Sequence, residues 1–198
     1  MLIYAVADIH GQAERLDIVE ETAAAMCPDV IVVAGDITGY ARDRETLRRL
    51  DKMTCPVLFI PGNIDPATLA DAPSDGGHLV SLCRRCIEIQ GLPFYGLDVA
   101  DPAADAERID HRTVLVSHCP PRGVLDRGYG GFPGGSPAVL QLVLEKRPLA
   151  LICGHIHEQR GVSYCGETLV VNCSMGHTGA GARIELDGAG VVRAKLMP

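Results

Sequence analysis

The 198-residue sequence predicts an α/β fold built on parallel strands with helices outside. Three observations predict it. Short apolar runs alternate with helical stretches through the first third of the chain. Five of these runs, 2–7, 29–34, 56–60, 113–117 and 149–153, end on or beside a residue that binds metals or protons: Asp8, Asp36, Asn63, His118 and His155. The tail, 161–196, breaks into four short runs at Gly166-Glu167, at 176–181 and at Asp187-Gly188, a spacing that suits hairpins.

The elements follow in order. Residues 2–7 form an unbroken apolar run, the signature of a strand buried on both faces. Leu16, Val19, Ala23 and Met26 then recur at helical spacing over 12–26. Strand 29–34 closes at Gly35-Asp36. Leu47 and Leu50 among charges make 42–53 an exposed amphipathic helix, and 56–60 is the third strand. Residues 66–77, rich in Ala, Asp, Pro and Gly, read as loop with one helical turn. Runs 86–90 and 93–97 pair about Gly91, and 100–109 shows weak helical periodicity. Strand 113–117 ends at His118, and the Gly- and Pro-rich stretch 119–135 is loop. Ser136-Pro137 is a cap followed by proline at the first helical position, so a helix runs from there to Arg147. Strand 149–153 leads into Gly154-His155-Ile156-His157, where the glycine admits close backbone approach and an unusual φ. One domain over 1–198, with two sheets and outer helices, is the simplest architecture, and no internal repeat or linker interrupts it.

Composition narrows the function. The apolar fraction of 47% and charged fraction of 22% are those of an ordinary globular protein. A net charge of −7 argues against broad binding to a nucleic-acid backbone. It leaves a phosphate substrate open, because divalent metals would make a site locally positive. No apolar run approaches the ~20 residues of a membrane helix, and the N-terminal stretch lacks a basic region before Asp8. The expectation is a cytoplasmic protein with eight reduced cysteines. Cys83-Arg84-Arg85-Cys86 is a C-x-x-C without a second copy, which reads as loop and strand cysteines before it reads as a redox pair or half of a zinc cage.

Asp8, His10, Asp36, Asn63, His118, His155 and His157 make a mixed oxygen and nitrogen set suited to Mn, Fe, Co, Ni or Zn rather than calcium. Seven ligands exceed one tetrahedral site and fit two ions sharing a carboxylate, a centre that clamps the oxygens of a displacement at phosphorus. Each residue has an ordinary use. Asp8 and Asp36 can cap helices, Asn63 can turn the chain beside Gly62, and His118 can be loop polarity. Those readings require five coincidences at five strand ends, where α/β folds bind ligands.

Asp8-Ile9-His10, Gly35-Asp36, Gly62-Asn63, Ser117-His118 and Gly154-His155-Ile156-His157 resemble, in order, the five motif blocks of the calcineurin-like metallophosphoesterases. The compact length resembles the small prokaryotic phosphodiesterase-like branch. The resemblance implies a four-layer sandwich of two mainly mixed β-sheets flanked by helices. It implies one metal on Asp8, His10, Asp36 and His157 and a second on Asp36, Asn63, His118 and His155, with Asp36 bridging and Mn favoured. The implied reaction is hydrolysis of a small phosphodiester or phosphomonoester by a metal-bridging hydroxide, with Asp36, Asn63, Asp65 and His118 as the catalytic residues. A nuclease of the same superfamily and a catalytically silent interaction scaffold are the alternatives, and a homo-oligomer is left open. One departure stands out. Where many members carry histidine after the motif asparagine, this chain has Ile64, which does no acid–base chemistry. Asp65 keeps a carboxylate nearby as an orienter of a ligand.

Overall fold

A computed structural model describes residues 1–39, 44–71, 77–102, 106–176, 179–187 and 192–198. Strands β1 (Leu2–Val6), β2 (Val30–Ala34), β3 (Val57–Ile60) and β4 (Leu79–Ser81) run parallel in one six-stranded sheet. The second sheet holds β5 (Cys86–Ile89), β6 (Leu92–Gly96), β7 (Val114–Val116), β8 (Ala150–Cys153), β9 (Gly161–Cys165) and β10 (Thr168–Asn172), in the order β5-β6-β7-β8-β10-β9. The last two strands, β11 (Ala182–Leu186) and β12 (Val192–Leu196), return to the first sheet, where β11 pairs antiparallel with β1. The tail does form two antiparallel pairs, β9 with β10 and β11 with β12, but they belong to different sheets.

Alternation along the strands builds the layers. Ile3, Ala5 and Ala7 face the second sheet and meet Val114, Val116, Ile152 and Val171 in the central core. Tyr4 and Val6 face the other way, under helix α1 (Ala13–Met26), which contributes Leu16, Val19 and Ala23, and helix α2 (Arg44–Asp51), which contributes Leu50. On the far side Tyr95, Leu115, Leu151 and Val170 pack under Val139, Leu142 and Val143 of helix α3 (Pro137–Lys146). The result is the four-layer sandwich of two mixed sheets flanked by helices. Full burial of each such aliphatic side chain is worth about 1.5–3 kcal/mol, so strands apolar on both faces are anchored twice. As expected, the Ser136 hydroxyl accepts from Val139 N (3.3 Å) ahead of Pro137.

Several elements differ from the sequence reading. β4 falls in a stretch to which the sequence reading assigns no element, because three residues carry too little pattern. The helical turn in 66–77 is a 3-10 turn, Ala67–Asp71, and among its described residues 100–109 contributes the 3-10 turn Ala106–Arg108. The expected spans 42–53, 66–77 and 100–109 each include residues outside the described ones, namely 42–43, 72–76 and 103–105. Among the described residues no helix is long and apolar enough to cross a membrane.

All eight cysteines are free. Cys83 is buried and Cys86 exposed, and burial together with the Asp98 charge pushes the Cys83 thiol up to about 11. A thiol held neutral well above physiological pH is a poor nucleophile, which favours the loop-and-strand reading of Cys83 and Cys86 over a redox pair. In the native protein at neutral pH an alkylating reagent should label the exposed Cys27 and Cys86 and spare Cys83 until unfolding. Equal labelling of Cys83 and Cys86 by peptide mass spectrometry would contradict this.

Candidate metal centre

The carboxyl ends of β1, β2, β3, β7 and β8 meet at one edge of the sandwich, and the ligand residues leave those ends by a shared device. Asp8 (φ 64°), His10 (φ 57°), Asp36 (φ 51°) and His155 (φ 69°) all take left-handed backbone. Asp and His tolerate this better than most residues, yet each instance stores of order 1–3 kcal/mol. Hydrogen bonds between the loops hold the strain. Asp8 N donates to Gly35 O (3.0 Å), His10 N to Asp36 O (2.9 Å), and Gly154 N to His118 O (3.0 Å). The unusual φ expected at Gly154 sits instead on His155. Gly154 supplies room, since a Cβ there would lie 2.8 Å from Asp8 Oδ2 and collide with Ala7. A Cβ at Gly62 would collide with the Asp36 carboxylate and amide.

The structure brings the expected ligands together. Two groups, Asp8 with His10 and His157, and Asp8 with Asp36 and His118, each place one donor atom per residue within 4.8 Å of the others. In the first, His10 Nε2 and His157 Nε2 lie 3.5 Å apart, and His157 Nε2 is 3.4 Å from Asp8 Oδ1. In the second, His118 Nε2 lies 2.8 Å from Asn63 Oδ1 and 3.4 Å from Asp36 Oδ2. His155 joins neither group, but its ring packs edge-on against His118 at 4.9 Å, and its backbone N donates to Asp8 Oδ2 (3.0 Å). The carboxylate within reach of both groups is Asp8, whereas the resemblance implies Asp36 as the bridge.

These residues fit cations. His118 Nδ1 lies 2.9 Å from the carbonyl of Ala34 and must donate to it, because a carbonyl only accepts. In the neutral ring the Nε2 lone pair then faces Asn63 Oδ1 and Asp36 Oδ2, oxygen acceptors both, and a proton or a metal ion would satisfy all three. Asp8 is fully buried and Asp36 is 3% exposed, so their charges demand partners.

Electrostatics agree. Burial works against the charge of Asp8 and of Asp36. Hydrogen bonds from His157 and His118 respectively, with the neighbouring histidine charges, more than reverse this and lower both pKa values. Burial also acts to lower the pKa of His118, but the Asp36 hydrogen bond and the Asp36 and Asp8 charges raise it. The Asp8 hydrogen bond raises His157 against burial. His10 and His155 shift down, chiefly by burial, and stay neutral. In the ion-free protein the carboxylate contribution to stability is present above about pH 4 and lost as pH falls through the lowered values. The histidine contribution is present below about pH 6.5 and lost as pH rises through the raised ones. A metal must displace the protons on His118 and His157. Metal affinity should therefore climb as pH rises through and above 6.5, with protons released on binding. Calorimetric enthalpies that vary with buffer ionisation heat would read that release, and enthalpies independent of buffer would contradict it.

Around the ligands stand residues that orient them. Asp65 accepts from Ile37 N (3.0 Å), Thr38 N (2.8 Å), Thr38 Oγ1 (2.8 Å) and Gly62 N (2.8 Å), which ties the Asp36 loop to the Asn63 loop. Its oxygens are occupied by the scaffold. Arg15, on α1, escaped the sequence reading. Its guanidinium donates to the carbonyls of Asp8 and Gly176, clamping the β1 loop to the chain beyond β10. Asn172 was also missed; its amide donates to Ile156 O (2.8 Å) between the two histidine ligands. Nothing in their local pattern marks either residue.

The loop of 119–135 flanks the centre and is ordered by backbone bridges, Pro121 to Ser136 and Arg127 to Pro133. Its two arginines each donate to a loop carbonyl: Arg122 Nη1 to Pro133 O and Arg127 Nη1 to Gly131 O, both at 3.1 Å. They brace the loop, and alanine at either should change Michaelis constants less than loss of a ligand does. Ile64 is half-buried and outside the three core clusters, with its amide donating to Asp36 Oδ1 (3.1 Å). Besides the ligands, His78 and His177 are histidines to ask for a proton donor in place of the missing imidazole. His78 precedes β4, beside the start of β3, at the opposite end of the sheet, and does not reach the centre. His177 lies outside the described residues.

Comparison with known proteins gives the family. The chain is 34% identical to a UPF0046 protein of Caenorhabditis elegans, over 89% of this chain and 70% of that one. It is 26% identical to the uncharacterized protein MJ1162 of Methanocaldococcus jannaschii, over 88% of each. Its fold matches that of an archaeal phosphodiesterase over the full length of both chains, with a TM-score of 0.63 at 14% identity. Residues 1–183 match the calcineurin-like phosphoesterase superfamily domain. The chain belongs to the calcineurin-like phosphoesterase superfamily.

Proposed function

We propose that this protein is a dinuclear-metal phosphoesterase that hydrolyses a small phosphodiester or phosphomonoester. The observation that carries the reading is the pair of donor groups sharing the buried Asp8. When bound, two divalent transition-metal ions, Mn favoured over Fe, Zn, Ni or Co, supply Lewis acidity toward phosphoryl oxygens and acidify water into the neutral range. The protein supplies position and charge. On the assignment the resemblance implies, Asp8, His10, Asp36 and His157 would hold one ion and Asp36, Asn63, His118 and His155 the other, with Asp8 within reach of both donor groups. Ala34 O fixes the His118 tautomer so that Nε2 faces inward. Asn63 is exposed and is the ligand residue most open to an arriving substrate. Asp65 and Arg15 keep the loops from relaxing out of their strained backbone. The intact set of seven ligands supports catalysis over a silent scaffold, and the net charge of −7 supports a small substrate over nucleic acid.

The test is hydrolysis of bis(4-nitrophenyl) phosphate by metal-stripped protein with and without added Mn²⁺. Activity should appear only with the ion and vanish in chelator. Undiminished hydrolysis in excess chelator would refute the reading.

A further inference from the structure

The loop between β7 and α3 carries two side chains that metal chemistry does not use. Tyr129 is 89% exposed and Phe132 76%, the two highest values among the large apolar side chains described. They are not on a slack segment. Gly128 N donates to Phe132 O (3.0 Å), Gly131 N donates to Gly128 O (2.9 Å), and Arg127 Nη1 holds Gly131 O. Gly130 has φ 70°, and a Cβ there would lie 3.2 Å from Phe132 Cδ2 and Cε2, so the ring lies across this glycine. The loop therefore presents two aromatic rings to solvent on a braced hairpin, an arrangement the core does not require.

The stem of that hairpin rests on the segment that bears the metal ligands. A Cβ at Gly134 would lie 2.7 Å from Cδ1 of Ile156, the residue between His155 and His157. Arg127 N donates to Gln159 Oε1 (2.8 Å), and the Cβ position of Gly128 lies 4.0 Å from Oε2 of Glu158, which follows His157. The aromatic tip begins at the next residue. We infer that Tyr129 and Phe132 form a stacking platform for a planar aromatic group of the phosphoester, a nucleobase or aryl ring, while its phosphate lies at the metal centre. The inference rests on the phosphoesterase reading. Other occupants fit less well. Two rings offer about 300–500 Å² together, short of the ~800 Å² per partner in a stable protein interface. The loop's two cations are turned onto its own carbonyls, and the net charge is −7, which opposes an anionic lipid surface.

The test compares ligands that differ only in the ring, by calorimetric binding to the metal-loaded full chain: AMP against ribose 5-phosphate, and phenyl phosphate against methyl phosphate. Wild-type protein should prefer the ringed member of at least one pair by ~5–150-fold, the range of base–aromatic stacking. A preference confined to the first pair identifies a nucleobase site, and one confined to the second an aryl site. Tyr129→Ala and Phe132→Ala should each shrink the preference and together erase it, with affinity for ribose 5-phosphate and inorganic phosphate unchanged. Both rings are exposed, so the fold should survive. Absence of a preference in the wild type, or its survival in the double variant, overturns the platform. Hydrolysis of the aryl diester, measured in parallel, separates the two readings. An active enzyme without ring preference loses the platform alone. An inactive protein whose preference vanishes in the double variant keeps the platform and loses the phosphoesterase reading.

Discussion

Asp36→Asn and Asp8→Asn should each lower hydrolysis of an activated aryl phosphodiester by more than about 10²-fold, beyond the 10–100-fold that follows loss of an outer partner of a metal ligand. Both changes preserve shape and remove charge where burial makes charge costly, so the loss falls on the ions rather than on packing. Asp36 accepts from Ile64 N and faces His118 Nε2, whereas Asp8 stands between His157 and the backbone N of His155. The resemblance implies Asp36 as the shared carboxylate, while the donor atoms cluster about Asp8. Metal analysis of the two variants separates these assignments. The variant that retains one ion has lost the carboxylate that is not shared, and the variant that retains none has lost the bridge. Wild-type rates in either variant would remove the carboxylates from the chemistry.

The second large effect comes from Ile64. With no imidazole after Asn63, and His78 at the far end of the sheet, departing alkoxides lack an evident proton donor among the described residues. General acid help is worth roughly 10²–10⁴-fold, so aryl esters with acidic phenols should be turned over well and alkyl esters should trail by about that factor. Ile64→His should then speed alkyl esters selectively. Ile64 is half-buried and belongs to no core cluster, so the substitution should leave the fold intact. A flat dependence of rate on leaving-group pKa in the wild-type protein would contradict the argument and point to another acid.

Much of this centre was legible before any coordinates. Strands buried on both faces have to be apolar throughout, so β1, β2, β3, β7 and β8 stand out as unbroken runs, and the ligands lie at or just past their ends. What sequence withholds is whatever depends on distant partners. Arg15 looks like the other arginines on the helices, yet its two acceptors include Gly176, 161 positions away. Local alternation predicts the hairpins of the tail but not that β10 joins β8 in one sheet while β11 joins β1 in the other. A glycine before His155 signals backbone freedom without saying which of the two residues takes the positive φ. That answer depends on room beside Ala7 and Asp8. The loop of 119–135 shows only glycine and proline, and its order comes from backbone bridges that have no periodic signature.

On the proposed function, seven residues at five strand ends hold two ions. Native mass spectrometry of the intact chain, stripped of metal and titrated with Mn²⁺, counts them directly. Uptake should saturate at two ions per chain, with hydrolysis rising in step with the doubly loaded species. Saturation at one ion, or full activity in the singly loaded species, would contradict it.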